Sequence, residues 1–578
     1  MSLVTASVYK EKANSAYLSG DLAGALSIAK KAVVAHTQDA QLYNFMGCML
    51  GASSLPHQAF RVFELAVRLS PLDSHSISNF GLAALSLGAS DTAKTGLERG
   101  FVFCPGEALI LNALGMVHAR LHASSTAVEH FRRSLEVTRE LQEANSNLSG
   151  SLNEIGSYDD ALEYSARALV FKPDSFEPLN NRALSFRGLG MIAAGSSVAA
   201  RAEALAPFDW RAANTRSVLC SESGRFEEAL VGYRRALCLS PDSVEARSNK
   251  GFMELIHRNY RSGWRDYHYR WQVPQFNSLG KRFFSKPCLQ PGDSITGKVI
   301  LVHHEQGIGD TIQFCRYISL FRKSGARVIL LVPKSLKRLF KAQEAFGQVI
   351  SIGEPDPAFD MHCPFMSLPV VFGTTLESIP FSREQFLRPI SSDVVHWKEY
   401  LNREFMRHGS DGAQLRVGLV WSGGSRPDEP ETWAANQRRN VPLLLLSAAL
   451  DLPGIDFVSL QKGEPAESEF RGREGAYWKV GRVFNAAADL KDFADTAGLI
   501  ANLDLVISVD TSTAHLAAAM GKPTWILNRY DTCWRWLLDR EDSPWYASVR
   551  LYRQGADRDW NAVLKRVTAD LIKTRDLN

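Results

Sequence analysis

Small and apolar residues recur with a period of 34 along the first half of the chain. Three sets of residues, here called phases, each recur at a fixed place within this period, and together they predict a pair of helices in each repeat. Small residues let the two helices approach closely, glycine occupies the turn between them, and proline ends the second helix. The small-residue phase is Ala25, Ala59, Ala93, Ala127, Ala161, Gly195 and Ala229. The glycine phase is Gly20, Gly88, Gly156, Gly190 and Gly224, and the proline phase is Pro71, Pro105, Pro173, Pro207 and Pro241. The pattern predicts an all-α solenoid.

The period resembles that of the tetratricopeptide repeat family. Seven repeats are readable from about residue 6 to 241, and an eighth begins at Ser243 and runs into the aromatic stretch "GWRDYHYRWQ". The resemblance implies a concave groove of the kind that usually binds an extended peptide. A spacer or a self-association module is the alternative interpretation.

The pattern changes in the second half, where apolar strand-like runs alternate with helix-like segments. A buried strand is predicted from Val299, a helix from about Thr311 and a second strand from Arg327. A second region of this kind begins at Arg416. Alternation of strands and helices predicts parallel sheets, and such sheets bind ligands at the carboxyl ends of their strands. We therefore expect an α/β region of two Rossmann-like halves.

These patterns divide the chain into four parts. We expect a repeat solenoid over 1–272, a linker over 273–297, an N-terminal Rossmann-like half over 298–412 and a C-terminal half over 413–578. The segment "FFSKPCLQ" within the linker is expected to pack onto the first half.

Composition narrows the class of protein. The 578 residues are 45% hydrophobic and 22% charged, which is typical of globular proteins, and the net charge of +4 carries no dense basic run that would indicate nucleic acid. Eight cysteines without a C-x-x-C pair predict neither a zinc ribbon nor a disulfide framework. With no signal peptide pattern and no apolar run long enough to span a membrane, the sequence predicts a soluble protein of the cytoplasm.

A row of polar residues lies between a predicted strand and a predicted helix near the C-terminal end. Thr511, Ser512, Thr513 and His515 would combine hydroxyl groups and an imidazole with the free N–H groups of a helix N-terminus, which suits a phosphate or diphosphate. Lys462, after another strand, could add a full positive charge. Ordinary helix capping by the preceding aspartate, Asp510, is the alternative interpretation.

The loop "EQGIGDTIQF" has a different character. It contains Gly307 and Gly309 but lacks the lysine of a phosphate loop. Glu305 and Asp310 place carboxylates at the end of a strand, which suits a general base that deprotonates an acceptor hydroxyl. Asp310 could instead form a capping box with Gln313.

Other positions are secondary candidates. Trp421, Ser422 and Gly423 end a strand, so their backbone could approach a bound donor. Arg438 and Arg439 could anchor a phosphate or carboxylate, or lie in a solvated charged loop.

Two further segments bear on metal ions and on the core. His303 and His304 should point to opposite sides of a strand end, and no other ligand set is evident, so we expect no metal site. The stretch "CWRWLLDREDSPWY" is interpreted as a core or a seam between domains rather than as a surface for base stacking.

The C-terminal half, from about residue 296 to 578, resembles GT-B glycosyltransferases of the heptosyltransferase group. The resemblance is carried by "GIGDTIQF" and "SVDTSTAHLAAAMGKPTW". It implies that Asp310 is the catalytic base. It also implies that the donor's phosphates are bound by Lys462 and by the cluster Thr511, Ser512, Thr513 and His515. The second segment reads Asp-Thr-Ser where the group has a glycine in third place.

The whole arrangement is similar to that of bacterial flagellin glycosyltransferases, and also to that of the nucleocytoplasmic O-GlcNAc transferases. The similarity implies that the repeats hold flagellin and that a nonulosonic acid such as pseudaminic acid passes from its CMP form to Ser or Thr. A nucleotide-activated sugar is then the co-substrate, with no cofactor or metal ion. A transferase with a lipopolysaccharide acceptor, or a scaffold without catalysis, are the alternatives.

Overall fold

Paired helices make up the first part of the structure, a computed structural model that describes residues 5–273, 284–407, 415–424, 430–471, 473–480 and 482–577. By its internal contacts the chain forms two compact units, Met1–Ala206 and Pro207–Asn578. The predicted fold class is confirmed: an all-helical repeat region precedes an α/β region with parallel sheets. The predicted domain boundaries stay predictions.

The first unit contains helices of alternating lengths, 13 and 14 residues. They are Ala6–Leu18, Leu22–Ala35, Ala40–Ala52, Pro56–Leu69, Ser74–Ser86, Ser90–Phe103, Ala108–Arg120, Ser124–Val137, Gln142–Glu154, Tyr158–Phe171, Phe176–Gly188 and Ile192–Leu205. The first helices of successive pairs contact one another, as do the two helices of each pair. The small-residue phase lies at the closest approach, where Ala25 and Ala93 are fully buried.

The turn within each pair requires a left-handed backbone. Gly20 has a φ of 85°, and the other residues of the glycine phase also have positive φ, which a glycine adopts without steric cost. Ser54 and His122 occupy the same position in repeats without the glycine and adopt φ of 58° and 57°. Proline follows two residues after the second helix, as at Pro71 after Leu69. The three phases therefore have the roles that the sequence predicts.

The second unit begins with two more helix pairs. They are Trp210–Glu222 with Phe226–Leu239, and Val244–Ile256 with the shorter Tyr260–Tyr267, followed by a 3-10 turn at His268–Gln272. The aromatic stretch of the eighth repeat thus continues the helical pattern.

The first sheet has four parallel strands in the order β3-β2-β1-β4. They are β1 Val299–His303, β2 Arg327–Val332, β3 Gln348–Ser351 and β4 Met361–Pro364. The described part of "FFSKPCLQ" packs onto this sheet, as predicted. Cys288 forms a parallel β-bridge with His362 of β4, and the side chain of Leu289 is buried. Residues 274–283 of the predicted linker lie outside the described residues.

The second sheet has six parallel strands in the order β10-β9-β8-β5-β6-β7. They are β5 Leu415–Val420, β6 Ile455–Ser459, β7 Arg482–Asn485, β8 Leu505–Val509, β9 Thr524–Asn528 and β10 Val549–Arg553.

Helices connect the strands of both sheets. They are Ile308–Phe314, Ile318–Lys323, Lys334–Lys341, Leu368–Val371, Ser391–Arg407, Pro430–Arg439, Leu443–Leu450, Ala466–Phe470, Glu474–Tyr477, Phe493–Ala501 and Ser512–Ala519, and the helix Trp560–Leu577 follows the last strand. None of the helices in the described ranges combines the length and the apolar composition that a membrane crossing requires.

A buried aromatic cluster joins the last repeat helices to the sheets within the second unit. The ring of Trp264 lies 5.0 Å from that of Trp534, 6.1 Å from that of Trp545 and 6.3 Å from that of Phe314. All four side chains are nearly inaccessible to solvent. The interpretation of "CWRWLLDREDSPWY" as a core is confirmed. Because large aromatic side chains bury so much apolar area, these helices belong to the core of the α/β region.

Candidate functional site

The site lies where the strand order of each sheet reverses. In the first sheet the chain runs from β1 through β3 and returns to the other side of β1 as β4, and in the second it runs from β5 through β7 and returns beside β5 as β8. Open parallel sheets leave a crevice for ligands at the carboxyl ends of such neighbouring strands. The loops after β1 and β8 carry the predicted base and most of the predicted phosphate-binding residues.

The two loops meet at Gly309. A Cβ atom placed on this glycine would lie 2.9 Å from Cδ2 of His515, 3.4 Å from Cα of Ser512 and 3.6 Å from its nitrogen. Any side chain at 309 would therefore push the two helix starts apart. The helices Ile308–Phe314 and Ser512–Ala519 consequently begin side by side, one from each sheet.

Glu305 lies in a buried ion pair. Its oxygens accept hydrogen bonds from the Arg270 guanidinium at 2.8 Å and from the backbone N–H of Met366 at 2.8 Å. Burial raises the pKa of Glu305, and the Arg270 charge opposes that rise. With both oxygens engaged, Glu305 connects the loop after β1 to the 3-10 turn His268–Gln272 and to the segment after β4, and the geometry favours a structural role for it.

Asp310 does cap its helix, but from the third helical position and not from the position before the helix, as the box with Gln313 would require. The helix begins at Ile308, so Asp310 is its third residue and accepts a hydrogen bond from the Gly307 N–H at 2.9 Å. The expected partner in a capping box, Gln313, instead accepts from Arg535. The interpretation misplaces the cap because it starts the helix after the second glycine.

Arg535, in the loop after β9, holds the other oxygen of Asp310. Its Nε donates to Oε1 of Gln313 at 2.6 Å, and its guanidinium carbon lies 4.2 Å from the centre of the Trp534 ring. Burial lowers the pKa of Arg535, but the facing Asp310 carboxylate outweighs burial and raises that pKa above its ordinary range. The site thus contains a permanent buried cation next to the predicted base.

The polar row after β8 divides into two groups. Thr511, rather than the expected Asp510, caps the helix, with its hydroxyl 3.4 Å from the Ala514 nitrogen and 2.9 Å from the Ser508 hydroxyl. The side chains of Ser512 and Thr513, the next two residues, are partly exposed at the first turn. These N–H and hydroxyl groups are the ones that the sequence predicts to bind an anion, and that role stays a prediction.

His515 is buried within the cluster instead of pointing into open solvent. Its Nδ1 lies 2.9 Å from the Tyr546 hydroxyl, its Nε2 lies 3.6 Å from Oδ1 of Asp510, and its ring stacks on Trp536. Burial would raise the pKa of Asp510, but His515 and two neighbouring arginines lower it well below its ordinary value. Both ring nitrogens therefore have protein partners, and His515 orients the start of the helix.

The end of β5 forms one wall of a cavity. Trp421, Ser422 and Gly423 line a space of about 380 Å³ together with residues of the helix Pro430–Arg439. The Trp421 side chain is buried, and the Ser422 and Gly423 N–H groups donate to Gln461 and Asn440. The strand end therefore lines this cavity, and its contact with a donor stays a prediction.

Arg438 and Arg439 lie on the helix Pro430–Arg439, so the interpretation of this segment as a solvated charged loop is wrong. Arg439 donates from Nη1 to the Asp510 carbonyl at 2.8 Å and covers Gly423, where a Cβ atom would lie 1.8 Å from its Nη2. Arg438 pairs with Asp531 at 2.9 Å and with Glu222 at 3.2 Å. Arg439 therefore lies beside the start of the helix Ser512–Ala519, whereas Arg438 connects elements of the unit.

Lys462 is half-exposed and points away from the row after β8. Its Nζ donates to the Ala487 carbonyl at 2.7 Å and lies 3.7 Å from Oε1 of Glu467.

In the described ranges, no three His, Cys, Asp or Glu side chains converge in a geometry suited to a metal ion. His303 contacts His362 at 3.1 Å and His304 contacts Thr311 at 2.7 Å, so the two neighbours do point apart.

Sequence reasoning misses Arg535 and Tyr546. Both lie in "CWRWLLDREDSPWY", the stretch interpreted as core, and both are indeed buried. The one available signal is an arginine between two tryptophans, since a buried charge requires an ionic partner. Nothing in the sequence identifies that partner as Asp310, which lies 225 positions earlier.

Comparison with known proteins agrees with this geometry. The family model of glycosyltransferase family 9 (heptosyltransferase) matches residues 484–531. The matched span contains Asp510 and the helix Ser512–Ala519 and ends before Arg535. Protein FlbA of Caulobacter vibrioides (strain ATCC 19089 / CIP 103742 / CB 15) is 25% identical over 515 residues, which are 82% of this chain and 80% of that protein.

Solved structures match the repeats. A tetratricopeptide repeat protein from Parabacteroides merdae ATCC 43184 is 15% identical and covers 43% of this chain and 98% of its own, with a TM-score of 0.35. A thermophilic tetratricopeptide-repeat protein of Thermus thermophilus is 22% identical and covers 32% of this chain and 99% of its own, with a TM-score of 0.29. At such low scores the repeat fold rests on the helices of this chain itself. The chain combines a helical array of 34-residue repeats, similar to tetratricopeptide repeats, with a C-terminal α/β region that matches a glycosyltransferase family over residues 484–531.

The burial of His515 leads to a prediction about stability. His515→Ala should lower the free energy of unfolding by about 2–4 kcal/mol, because it leaves a cavity on Trp536 and an unpaired Tyr546 hydroxyl. Denaturant unfolding followed by tryptophan fluorescence measures the loss. Ser512→Ala, at a partly exposed position on the same turn, is the matched control and should change stability by less than about 0.5 kcal/mol. Equal stabilities of the two variants would contradict the buried position of the imidazole.

Proposed function

We propose that the protein is a GT-B glycosyltransferase that moves a sugar from a nucleotide-activated donor to a hydroxyl group of a protein held by the repeat array. One observation carries the proposal: Gly309 brings the loop of Asp310 against the first turn of the helix Ser512–Ala519. A carboxylate that can accept a proton and a helix start that can hold a phosphate then lie in one crevice. Direct displacement of a nucleotide from a sugar by a hydroxyl group uses a base for the hydroxyl and donors for the departing phosphate.

The donor phosphate would bind at the first turn after β8. The N–H groups and hydroxyls of Ser512 and Thr513 supply donors there, and Arg439 lies beside them, bonded to the Asp510 carbonyl. His515 contributes by holding the turn. Lys462 would have to leave the Ala487 carbonyl and Glu467 to reach the phosphate, so it is the weakest member of the proposed set.

The proposed reaction is a direct displacement. The acceptor hydroxyl attacks the anomeric carbon, Asp310 takes its proton, and the bond from that carbon to the phosphate oxygen breaks. Negative charge grows on the departing phosphate, so donors aimed at it stabilise the transition state more than the ground state. No metal ion takes part in this scheme.

Paired asparagines on the first helices of the repeats support a protein acceptor. The Asn79 amide donates to Oδ1 of Asn44 at 3.0 Å, and Asn147 donates to Asn112 at 3.1 Å. Each pair spans 35 residues, so it joins the first helices of successive repeats. Within the described residues, Oδ1 of Asn79 and Oδ1 of Asn147 accept no hydrogen bond. A carboxamide presents the same donor and acceptor as a peptide group, so such a row suits the backbone of an extended peptide.

The resemblance to flagellin glycosyltransferases supplies the remaining detail of the proposal. Flagellin is the proposed acceptor, and a CMP-linked nonulosonic acid such as pseudaminic acid is the proposed donor. The match to a heptosyltransferase family favours one alternative, a carbohydrate acceptor such as lipopolysaccharide, in which case the array would bind another protein.

Asp310→Asn tests the catalytic part. The variant keeps the size of the side chain and the hydrogen bond from Gly307 but loses the base, so transfer should fall about 10²- to 10⁴-fold while nucleotide still binds. Transfer is measured by the intact mass of flagellin after incubation with the donor, and binding by calorimetric titration with CMP and UDP. Turnover near that of the wild type would reduce Asp310 to a structural residue.

The asparagine row predicts how the array binds its acceptor. Asn181 continues the row on the next first helix, where its amide donates to the Ser146 carbonyl at 2.9 Å. Replacing Asn79, Asn147 and Asn181 together by alanine should weaken flagellin binding about tenfold or more, since each lost amide bond is worth about 1 kcal/mol. Gln58→Ala, at an exposed position on a second helix, is the control and should bind normally. Binding of immobilised flagellin to the full-length chain, without donor, is the measurement. Unchanged affinity of the triple variant would favour the carbohydrate acceptor.

A further inference from the structure

Arg535 is the buried cation closest to the proposed base. Its three nitrogens donate to three groups: Nη2 to Asp310, Nε to Gln313, and Nη1 to the Cys533 sulfur at 3.1 Å. Two of these partners are neutral, so the carboxylate alone balances its charge by direct contact. A guanidinium has five N–H groups, and its planar fork fits a phosphate or a carboxylate equally well.

The charges around the crevice are balanced before any donor binds. Asp310 and Asp510 carry the negative charges, and Arg535 and Arg439 carry the positive ones, with both arginines lowering the pKa of Asp510. A donor adds at least one further negative charge to this set. An anion inside a poorly solvated crevice requires a cation at hydrogen-bond distance. Arg439 is engaged with the Asp510 carbonyl and with Asn436.

We propose that Arg535 exchanges partners when the donor binds, passing from the Asp310 carboxylate to the donor's anionic group. This inference rests on the proposed function and names the regulation of that same site. Asp310 is held by Arg535 and by the Gly307 N–H, so both of its oxygens accept a hydrogen bond from the protein. Donor binding releases one oxygen, which can then take the proton of the acceptor hydroxyl.

The geometry allows the exchange without unfolding the loop. The stack on Trp534 and the bond from Nε to Gln313 can persist, because the exchange involves only the Nη2 end of the guanidinium. The crevice wall is close by: Gly309, the residue before Asp310, touches Ser512 at the start of the proposed phosphate seat. Arg535 thereby couples occupancy of the donor site to the availability of the base.

The exchange predicts that Asp310 and the donor compete for one cation. Asp310→Asn should therefore bind nucleotide about three- to thirtyfold more tightly than the wild type, because Arg535 no longer has to leave a carboxylate. Arg535→Gln should bind about tenfold or more weakly. In the Arg535→Gln background, adding Asp310→Asn should leave the affinity unchanged. Arg535→Lys, which keeps the charge, should recover part of the binding and so distinguish lost charge from a folding defect.

The experiment is a double-mutant cycle on the full-length chain, titrated calorimetrically with CMP, UDP and inorganic pyrophosphate, with thermal unfolding of each variant as the folding control. A gain in Asp310→Asn that vanishes with Arg535→Gln supports the exchange. An equal gain in both backgrounds would show direct repulsion between Asp310 and the anion, and no gain would show that Arg535 does not move; either result overturns the exchange. Both outcomes leave the proposed function standing, which falls instead if Asp310→Asn transfers sugar normally or if no probe binds the wild type.

Discussion

The close approach of Gly309 to His515 and Ser512 determines where the two parallel sheets meet. Each sheet reverses its strand order once, and each reversal leaves a loop at the carboxyl end of a strand. With no side chain at 309, the helix starts of both loops can lie side by side. Asp310 then lies near the start of the Ser512–Ala519 helix, and the buried Arg535 joins the two sides.

Rigid packing surrounds this contact within the second unit. The rings of Trp264, Trp534 and Trp545 form one buried cluster, and the Arg270–Glu305 pair connects the 3-10 turn after the last repeat helix to the loop after β1. Removing one partner of a buried ion pair lowers protein stability by several kcal/mol. The ion pair, together with the aromatic cluster, therefore holds the crevice in a defined geometry. The last repeat helices thus support the transferase core as well as completing the repeat pattern.

The repeats are predictable because their signals are local. The small, glycine and proline phases predict helix contacts, turns and ends within 34 residues, and the structure has each of them. The alternation of strands and helices likewise predicts parallel sheets. The predicted cap of each site helix is wrong by one to three residues, because polar residues at 510 and 511 suit a cap equally well and the helix of Asp310 begins earlier than its glycines indicate. The role of Arg535 is not predictable from the sequence because its partner, Asp310, lies 225 residues away. An ion pair between distant segments produces no periodic pattern in the sequence.

The intact mass of flagellin decides the central claim, which is sugar transfer to a protein. Flagellin is purified from cells that have this protein, from cells that lack it, and from cells that carry the Asp310→Asn form instead. We expect sugar-sized mass increments only in the first case, with the increment identifying the sugar. Identical masses in all three would contradict a flagellin acceptor, and increments that persist with Asp310→Asn would contradict the role of Asp310 as the base.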